Sequence, residues 1–472
     1  MMDNRPLSFI VEGSQGRLLQ GDPSWMISGV CLDSRQVQPG DLFVAIQGPR
    51  FDGHAFVGEA GRRQAAAALL HRTPAEPPPT LPAIVSVDNT RLALGRLASR
   101  YRQDFQLPAI AVCGSNGKTT TKDILASILS QRFLTLRSPA SFNNDIGVPL
   151  TLLDLHASHQ AAILEAGTNH PGELLPLLSM IRPRFGILTS IGREHLEFFG
   201  SLEGVIAEEA ALAAALPHHG RLFLPADLAG LDLIASRAAA PLTRVGWGPA
   251  ADWQAADVSI DWAGTRFRIL QPEGPWAGSY HLPIPGRHQA INALLAIALA
   301  AELGLTPEEA RAGLAAFTAP AMRLQTHERR GVRFLNDAYN ANPDSTRAAL
   351  ETLRCLPAPG RRIAVLGDFA ELGDAAESAH RETGRLAAGL QIDLLVAVGA
   401  HASVTAQSAR QHGLDNVREC ATLEDARSCL GSLLRPGDLV LLKASRSAGL
   451  ERLLDPIPPL SAHGLPTPPS QP

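Results

Sequence analysis

Gly114-Ser115-Asn116-Gly117-Lys118-Thr119-Thr120-Thr121-Lys122 is the stretch from which the rest of the chain is read. Before it, Ala109-Ile110-Ala111-Val112-Cys113 is a short apolar run of the kind that forms a buried strand; after it, Asp123-Ile124-Leu125-Ala126-Ser127-Ile128-Leu129 has helical spacing. A strand, a glycine-rich loop and a helix start aim backbone N–H groups and the positive end of the helix dipole at one point, which suits a phosphate. In such a loop Gly114, Ser115, Asn116, Gly117 and Thr120 line the cradle. Lys118 is the point charge toward the β- and γ-phosphates, and the Thr119 hydroxyl is a ligand for Mg2+. The longer phosphate-loop pattern has a glycine five residues before the second motif glycine. Val112 stands there, so this is the shorter G-x-x-G-K-T form. Lys118, Lys122 and Lys443 are the only lysines, although Lys and Arg together number 42. A chain that uses Arg for bulk positive charge keeps Lys where the compact ammonium is needed.

The 472 residues correspond to about three domains of ordinary size. A hydrophobic content of 45% and a charged content of 19% describe a soluble globular protein with ample core. A net charge of −4, with no basic tract, argues against a nucleic-acid binder. Cys31, Cys113, Cys355, Cys420 and Cys429 lack metal-ligand spacing and read as reduced thiols of a cytoplasmic protein. The N-terminus is polar and no run approaches a membrane span, so the protein is expected in the cytosol and not membrane-embedded. A monomer is the expected assembly.

The expected fold class is α/β with three domains. Residues 1–106 form a smaller mixed α/β domain, with strand alternation over Asp41–Ile46, a helix over Ala60–Leu70, a Pro-dense loop over Thr73–Pro82 and a helix over Thr90–Gln103. Residues 107–319 alternate strands and helices, as in a mostly parallel phosphate-loop sheet, with strands at Ala161–Leu164 and Phe185–Thr189 and helices at Gln289–Leu303 and Pro307–Phe317. Residues 320–455 carry strands Ile363–Gly367, Leu394–Gly399 and Leu439–Leu442, as in a doubly wound Rossmann-like domain. Residues 456–472 read as a disordered tail.

The groups near the loop decide its chemistry. Glu165 ends the apolar run Ala161–Leu164, where a Mg2+ ligand belongs in such a sheet. His195 follows another strand and is a candidate of the same kind, although a lone His is as readily an ordinary surface or core residue. Asn143-Asn144-Asp145 is a dense polar patch that also reads as a capped turn. Asn336-Asp337-Ala338-Tyr339-Asn340-Ala341-Asn342-Pro343-Asp344-Ser345 precedes a helix over Thr346–Leu353, and Ser345 or Asp344 fits its N-cap. Three Asn, two Asp and a Tyr are more than a cap requires.

These stretches carry a family resemblance. Gly114–Lys122, Asn143–Pro149, Glu165–Glu173, His195–Glu197, Gly286–Gln289 with Asn292, Asn336–Ser345, Leu366–Gly373 and Leu442–Arg446 resemble the Mur ligases. Within that family, the stretches from Asp337 and from Gly367 are most similar to the branch that adds D-alanyl-D-alanine to UDP-N-acetylmuramoyl-tripeptide. The resemblance runs from about Asp33 to Glu451. It implies an N-terminal domain that holds the UDP-sugar, with Ser34 and Arg35 in the matching region, and a central domain that binds ATP and Mg2+. It also implies a C-terminal domain that brings the incoming amine. By the same resemblance Lys118, Glu165 and His195 are catalytic; Asn292, Arg323 and Asp337 contact the nucleotide; and Asn143, Asn144, Tyr339, Asn340, Asn342 and Lys443 contact substrate.

One position departs from the family. Many members carry a carbamylated lysine shortly after the His motif, and Glu209, with Glu208 adjacent, stands at that spacing from His195. Glu209 is read as a substitute metal ligand, against the alternative of an exposed helix-face glutamate. A ligase adding a single amino acid and a non-catalytic nucleotide- and UDP-sugar-binding protein are the competing readings.

Overall fold

Strand Ala109–Cys113 is buried along its whole length, as an apolar pentapeptide must be when helices cover both faces of a parallel sheet. It is the fourth of six parallel strands in the order Leu242–Gly246, Arg221–Pro225, Phe185–Leu188, Ala109–Cys113, Ala161–Glu165, Thr135–Arg137. The computed structural model describes residues 2–49, 51–72 and 80–454. Contacts divide the chain into two units: residues up to 190 with 206–245 and 295–313, and residues 191–205 with 246–294 and 314 onward.

The first unit holds these six parallel strands and a five-stranded sheet in the order Arg17–Gln20, Ile84–Ser86, Ala67–Leu70, Asp41–Val44, Gly29–Cys31, parallel except for its first pair. The second unit holds three antiparallel strands, Trp253–Asp261, Gly264–Gln271 and Gly278–Leu282. It also holds a six-stranded sheet in the order Gln325–Arg329, Val332–Asn336, Leu439–Lys443, Arg362–Leu366, Leu394–Val398, Val417–Cys420. All but its first pair are parallel, so the expected doubly wound C-terminal sheet is present. Among the described residues no helix is long and apolar enough to cross a membrane.

The structure corrects two readings. Ala60–Leu70 is not one helix: helix Val57–Arg62 ends, and Ala67–Leu70 is a fully buried strand between two parallel neighbours. Alanine favours helix locally, but its small side chain also fits a sheet closed on both faces, and tertiary pairing overrides propensity. The three antiparallel strands between Trp253 and Leu282 interrupt the parallel alternation expected there. Their half-exposed faces carry polar residues at every second position and lack the apolar run of a buried strand. Most of the Pro-dense loop and the C-terminal tail lie outside the described residues.

Candidate functional site

Strand Ala109–Cys113 delivers the loop to helix Lys118–Leu129 through two glycines in the left-handed region. At Gly114, φ +111°, a Cβ would meet the backbone of Ser190 within 2.7 Å, so only glycine fits. Gly117, φ +89°, is the residue before the helix. The neighbouring strand end pins the loop from outside: Ser115 donates its N–H to the Ser190 carbonyl at 2.8 Å, and Asn116 donates to Ser190 Oγ at 2.9 Å. Lys118 Nζ lies over the loop and donates to the Gly114 and Ser115 carbonyls. Thr119 and Thr120 are buried, and Thr119 Oγ1 meets Ser141 Oγ at 3.1 Å.

Glu165 and Val112 stand opposite each other at the carboxyl ends of paired strands, which sets Glu165 beside the loop. Its carboxylate is 1% exposed; Asn143 Nδ2 donates to Oε1 at 2.9 Å, and Oε2 accepts no hydrogen bond. The group facing Oε2 is Lys122 Nζ at 3.8 Å. Lys122 is wholly buried and spends its protons on the carbonyls of Ser138, at 2.8 Å, and Ala140; burial holds its pKa below the ordinary lysine value. A buried carboxylate oxygen that accepts no hydrogen bond suits a hard divalent cation.

Glu209 is buried at 1% exposure, which removes the alternative of a solvent-facing glutamate. Burial, then the Glu209 charge, push the Cys113 thiol well above its ordinary value, with Lys118 opposing and Glu165 adding, so these charges bear on the end of the loop strand. Glu208 has another job: its carboxylate accepts the N–H groups of Gly172 and Leu174, each at 2.8 Å, at the start of helix Leu174–Ile181. Asn144 is likewise a cap, accepting from Ile146 at 3.1 Å and Gly147 at 2.9 Å. Ser34 is buried and donates to Glu59 at 2.8 Å. Arg35 is exposed and pairs with Asp33 at 2.7 Å, and its hydrogen bond holds the Asp33 carboxyl down to about 2.

In the second unit, Asp337 and Lys443 leave the ends of neighbouring strands and form an ion pair of 2.7 Å. Lys443 Nζ also donates to the Asn340 carbonyl at 2.9 Å, and Asp337 Oδ1 accepts the Leu324 N–H at 3.1 Å. Burial lowers the Lys443 pKa, with Asp337 opposing. The Arg323 guanidinium lies 4.1 Å over the Tyr339 ring. Asn292 is buried and donates to Gln289 at 2.9 Å, which in turn meets His288 at 2.9 Å; burial pushes the His288 imidazole down to about 4. The N-cap of helix Pro343–Cys355 is Asn342 and not Ser345 or Asp344. Asn342 and Ser345 form a reciprocal capping box, while Asp344 binds the Arg193 guanidinium at 2.9 Å. His195, φ +50°, bonds the Glu371 carboxylate through Nδ1.

The structure thus gathers Lys118, Thr119, Glu165, Asn143 and Glu209 around one strand end, and Asp337, Asn340, Lys443, Arg323 and Tyr339 around another. Sequence reading gave no role to Lys122, Ser138, Ser141 or Glu371. Lys122 had a signal in its spacing of one helical turn from Lys118, and Glu371 in its place within the family stretch Leu366–Gly373.

Three family models match in succession: "Mur ligase family, catalytic domain" over residues 26–102, "Mur ligase middle domain" over 112–300, and "Mur ligase, glutamate ligase domain" over 322–446. The UDP-N-acetylmuramoyl-tripeptide--D-alanyl-D-alanine ligase of Bacillus subtilis (strain 168) is 34% identical over 96% of this chain and 98% of its own length. That of Escherichia coli (strain K12) is 37% identical over 91% and 93%. Among solved structures, MurF from Acinetobacter baumannii aligns with a TM-score of 0.88 at 32% identity, covering 96% of this chain and 98% of that one. MurF ligase from Thermotoga maritima in complex with ADP aligns at 0.78 and 26% identity, covering 90% and 96%.

Proposed function

The chain belongs to the Mur ligase family, and on that premise we propose that it joins D-alanyl-D-alanine to UDP-N-acetylmuramoyl-tripeptide, consuming ATP and releasing ADP and phosphate. The observation that carries this reading is its similarity, end to end, to relatives named for that reaction, at 34% and 37% identity. The division into domains 1–106, 107–319 and 320–455 is part of the proposal, and the three matched segments support it.

A carboxylate is a poor acylating agent, so ATP must first activate it. The peptide carboxylate oxygen bonds to the γ-phosphorus as the bond to ADP breaks, giving an acyl phosphate. The amine of D-alanyl-D-alanine then forms the C–N bond, loses a proton and expels phosphate. Lys118 faces the charge that builds on the transferring group, where a fixed cation lowers the barrier most. Gly114 to Thr120 supply the N–H groups that hold the phosphates. Thr119, Glu165, Glu209 and His195 are the proposed holders of Mg2+, and the open Oε2 of Glu165 supports this choice. When bound, the ion supplies Lewis-acid neutralisation of phosphate charge. Asn143 aims Glu165 through its 2.9 Å hydrogen bond. Asn292, Arg323 and Asp337 are assigned to the nucleotide, and Ser34, Arg35, Asn143, Asn144, Tyr339, Asn340, Asn342 and Lys443 to the two substrates. We place the enzyme in the cytoplasm as a monomer; free Cys31, Cys113, Cys355, Cys420 and Cys429 support a reducing compartment, and sedimentation tests the monomer.

The test is phosphate release from ATP and Mg2+, with the tripeptide substrate and D-alanyl-D-alanine added singly and together. Release that needs both, matched by pentapeptide product, is expected. Release indifferent to them, or none despite ATP binding, would overturn the reading.

A further inference from the structure

The stretch Leu366-Gly367-Asp368-Phe369-Ala370-Glu371-Leu372-Gly373 leaves strand Arg362–Leu366 as a loop fastened along its length. The Asp368 carboxylate accepts the backbone N–H groups of Ala400 at 2.7 Å and His401 at 3.0 Å. His380, buried, accepts the Phe369 N–H at Nε2, 3.3 Å, which puts its own proton on Nδ1, 3.1 Å from Thr405 Oγ1. Its ring is stacked between Phe369 and His401, with centroids 4.6 and 4.5 Å away. Both nitrogens of His380 are thereby committed, so the trio Asp368, His380 and His401, whose polar atoms lie within 4.8 Å of one another, braces the loop. Phe369 and Leu372 pack with Ala341 and Ala379 against Leu196, the residue after His195.

On this braced loop Glu371 takes φ +59°, a left-handed conformation that costs a non-glycine residue on the order of 1 kcal/mol and persists where surroundings enforce it. It meets the His195 turn at two points. Its carbonyl accepts the Glu197 N–H at 3.1 Å, and its carboxylate bonds His195 Nδ1. The other ring nitrogen, Nε2, points to the side where the buried Glu194 carboxylate lies 3.9 Å away.

We infer that Glu371 is a positioning residue for His195: by accepting the Nδ1 proton it fixes the ring's tautomer and orientation, leaving the Nε2 lone pair for a divalent cation. A histidine ligand is commonly held in this way by a carboxylate on its far nitrogen, which also raises its basicity. The inference rests on the proposed role of His195 as a cation ligand.

The experiment titrates Mn2+, a paramagnetic stand-in for Mg2+, into the ADP-bound full chain and reads free ion by electron paramagnetic resonance. In parallel, 15N-histidine NMR, assigned with His195→Ala, reads the tautomer. Glu371→Ala should weaken Mn2+ binding roughly tenfold and convert the His195 ring from its Nδ1–H form to a mixture. Glu371→Asp should recover part of both, and the double variant should bind no more weakly than His195→Ala. Unchanged Mn2+ affinity in Glu371→Ala while His195→Ala loses it, or a His195 ring that keeps the Nδ1–H form without Glu371, would overturn the positioning role and leave the ligand role intact. Full affinity in His195→Ala would overturn the ligand role itself.

Discussion

Two of the three lysines are buried beside a carboxylate at a sheet's carboxyl edge, yet they leave opposite remainders. Lys122 gives its short hydrogen bonds to the neutral carbonyls of Ser138 and Ala140, pairs with Asp123 at 3.5 Å and stays 3.8 Å from Glu165 Oε2, which accepts no hydrogen bond. Lys443 takes its carboxylate directly, at 2.7 Å from Asp337, and the Leu324 N–H takes the other oxygen. Burial lowers both lysine pKa values. The difference lies in the acid: Glu165 keeps an anionic oxygen that a cation can use, and Asp337 is closed. One pair therefore leaves an oxygen open to a cation, and the other holds two strand ends together.

Lys443→Met should cost the most stability, about 3–5 kcal/mol in chemical denaturation, because it strands a buried carboxylate. A loss below about 1 kcal/mol would break the contrast. Lys118→Ala should cut phosphate release by roughly 10²–10³-fold, about 2.7–4 kcal/mol of barrier, while binding of the UDP-sugar, followed by calorimetry, survives. An equal rate loss in Lys122→Met would show that the buried lysine shares the chemistry.

His380 shows a third way to bury a basic group. Burial first, then the His401 charge, hold it down to about 4 against an ordinary 6.5, with Asp368 opposing, so the ring is kept neutral. A depressed folded-state value gives stability that is complete above about pH 6.5 and lost as pH falls through 4. The full loss is about 3 kcal/mol, and His288 acts in the same window. Denaturation midpoints measured from pH 7 to 4 should fall, and His380→Gln should flatten that slope. Lys122→Met should lose the least, about 1–3 kcal/mol, because its short bonds go to neutral carbonyls and the Asp123 and Glu165 carboxylates stand 3.5 and 3.8 Å away. Mg2+ should recover part of its melting temperature and none of that of Lys443→Met; equal responses would erase the distinction between open and closed acids.

Much of this was legible in the sequence where the deciding interactions are short-range. The phosphate loop was found because strand, glycines and helix start follow one another directly. The strands Ala161–Glu165 and Leu394–Val398 were found because fully buried strands read as apolar runs. Ala67–Leu70 was misread because an alanine run supports helix or buried strand equally until its neighbours are known. The hairpin strands from Trp253 went unseen because half-exposed alternation is a weaker signal than an apolar run. In Asn336–Ser345 the excess of polar residues was noticed, but the cap was assigned three or two residues late, since Asn, Asp and Ser all cap well and only backbone geometry chose Asn342.

By itself the sequence determined the strand–loop–helix cradle, the parallel sheets and the family motifs, since backbone sterics and side-chain periodicity act between near neighbours. Only the tertiary structure decided that Glu209 is buried, that Glu208 is spent on a helix start, that Glu165 keeps one oxygen open, and that Glu371 grips His195. Those outcomes depend on partners 22, 34 and 176 residues apart, as for Asn143 with Glu165, Leu174 with Glu208 and His195 with Glu371. Charge and hydrogen-bonding capacity are written in a residue's identity, but which of its atoms is satisfied depends on what folding brings within 3 or 4 Å.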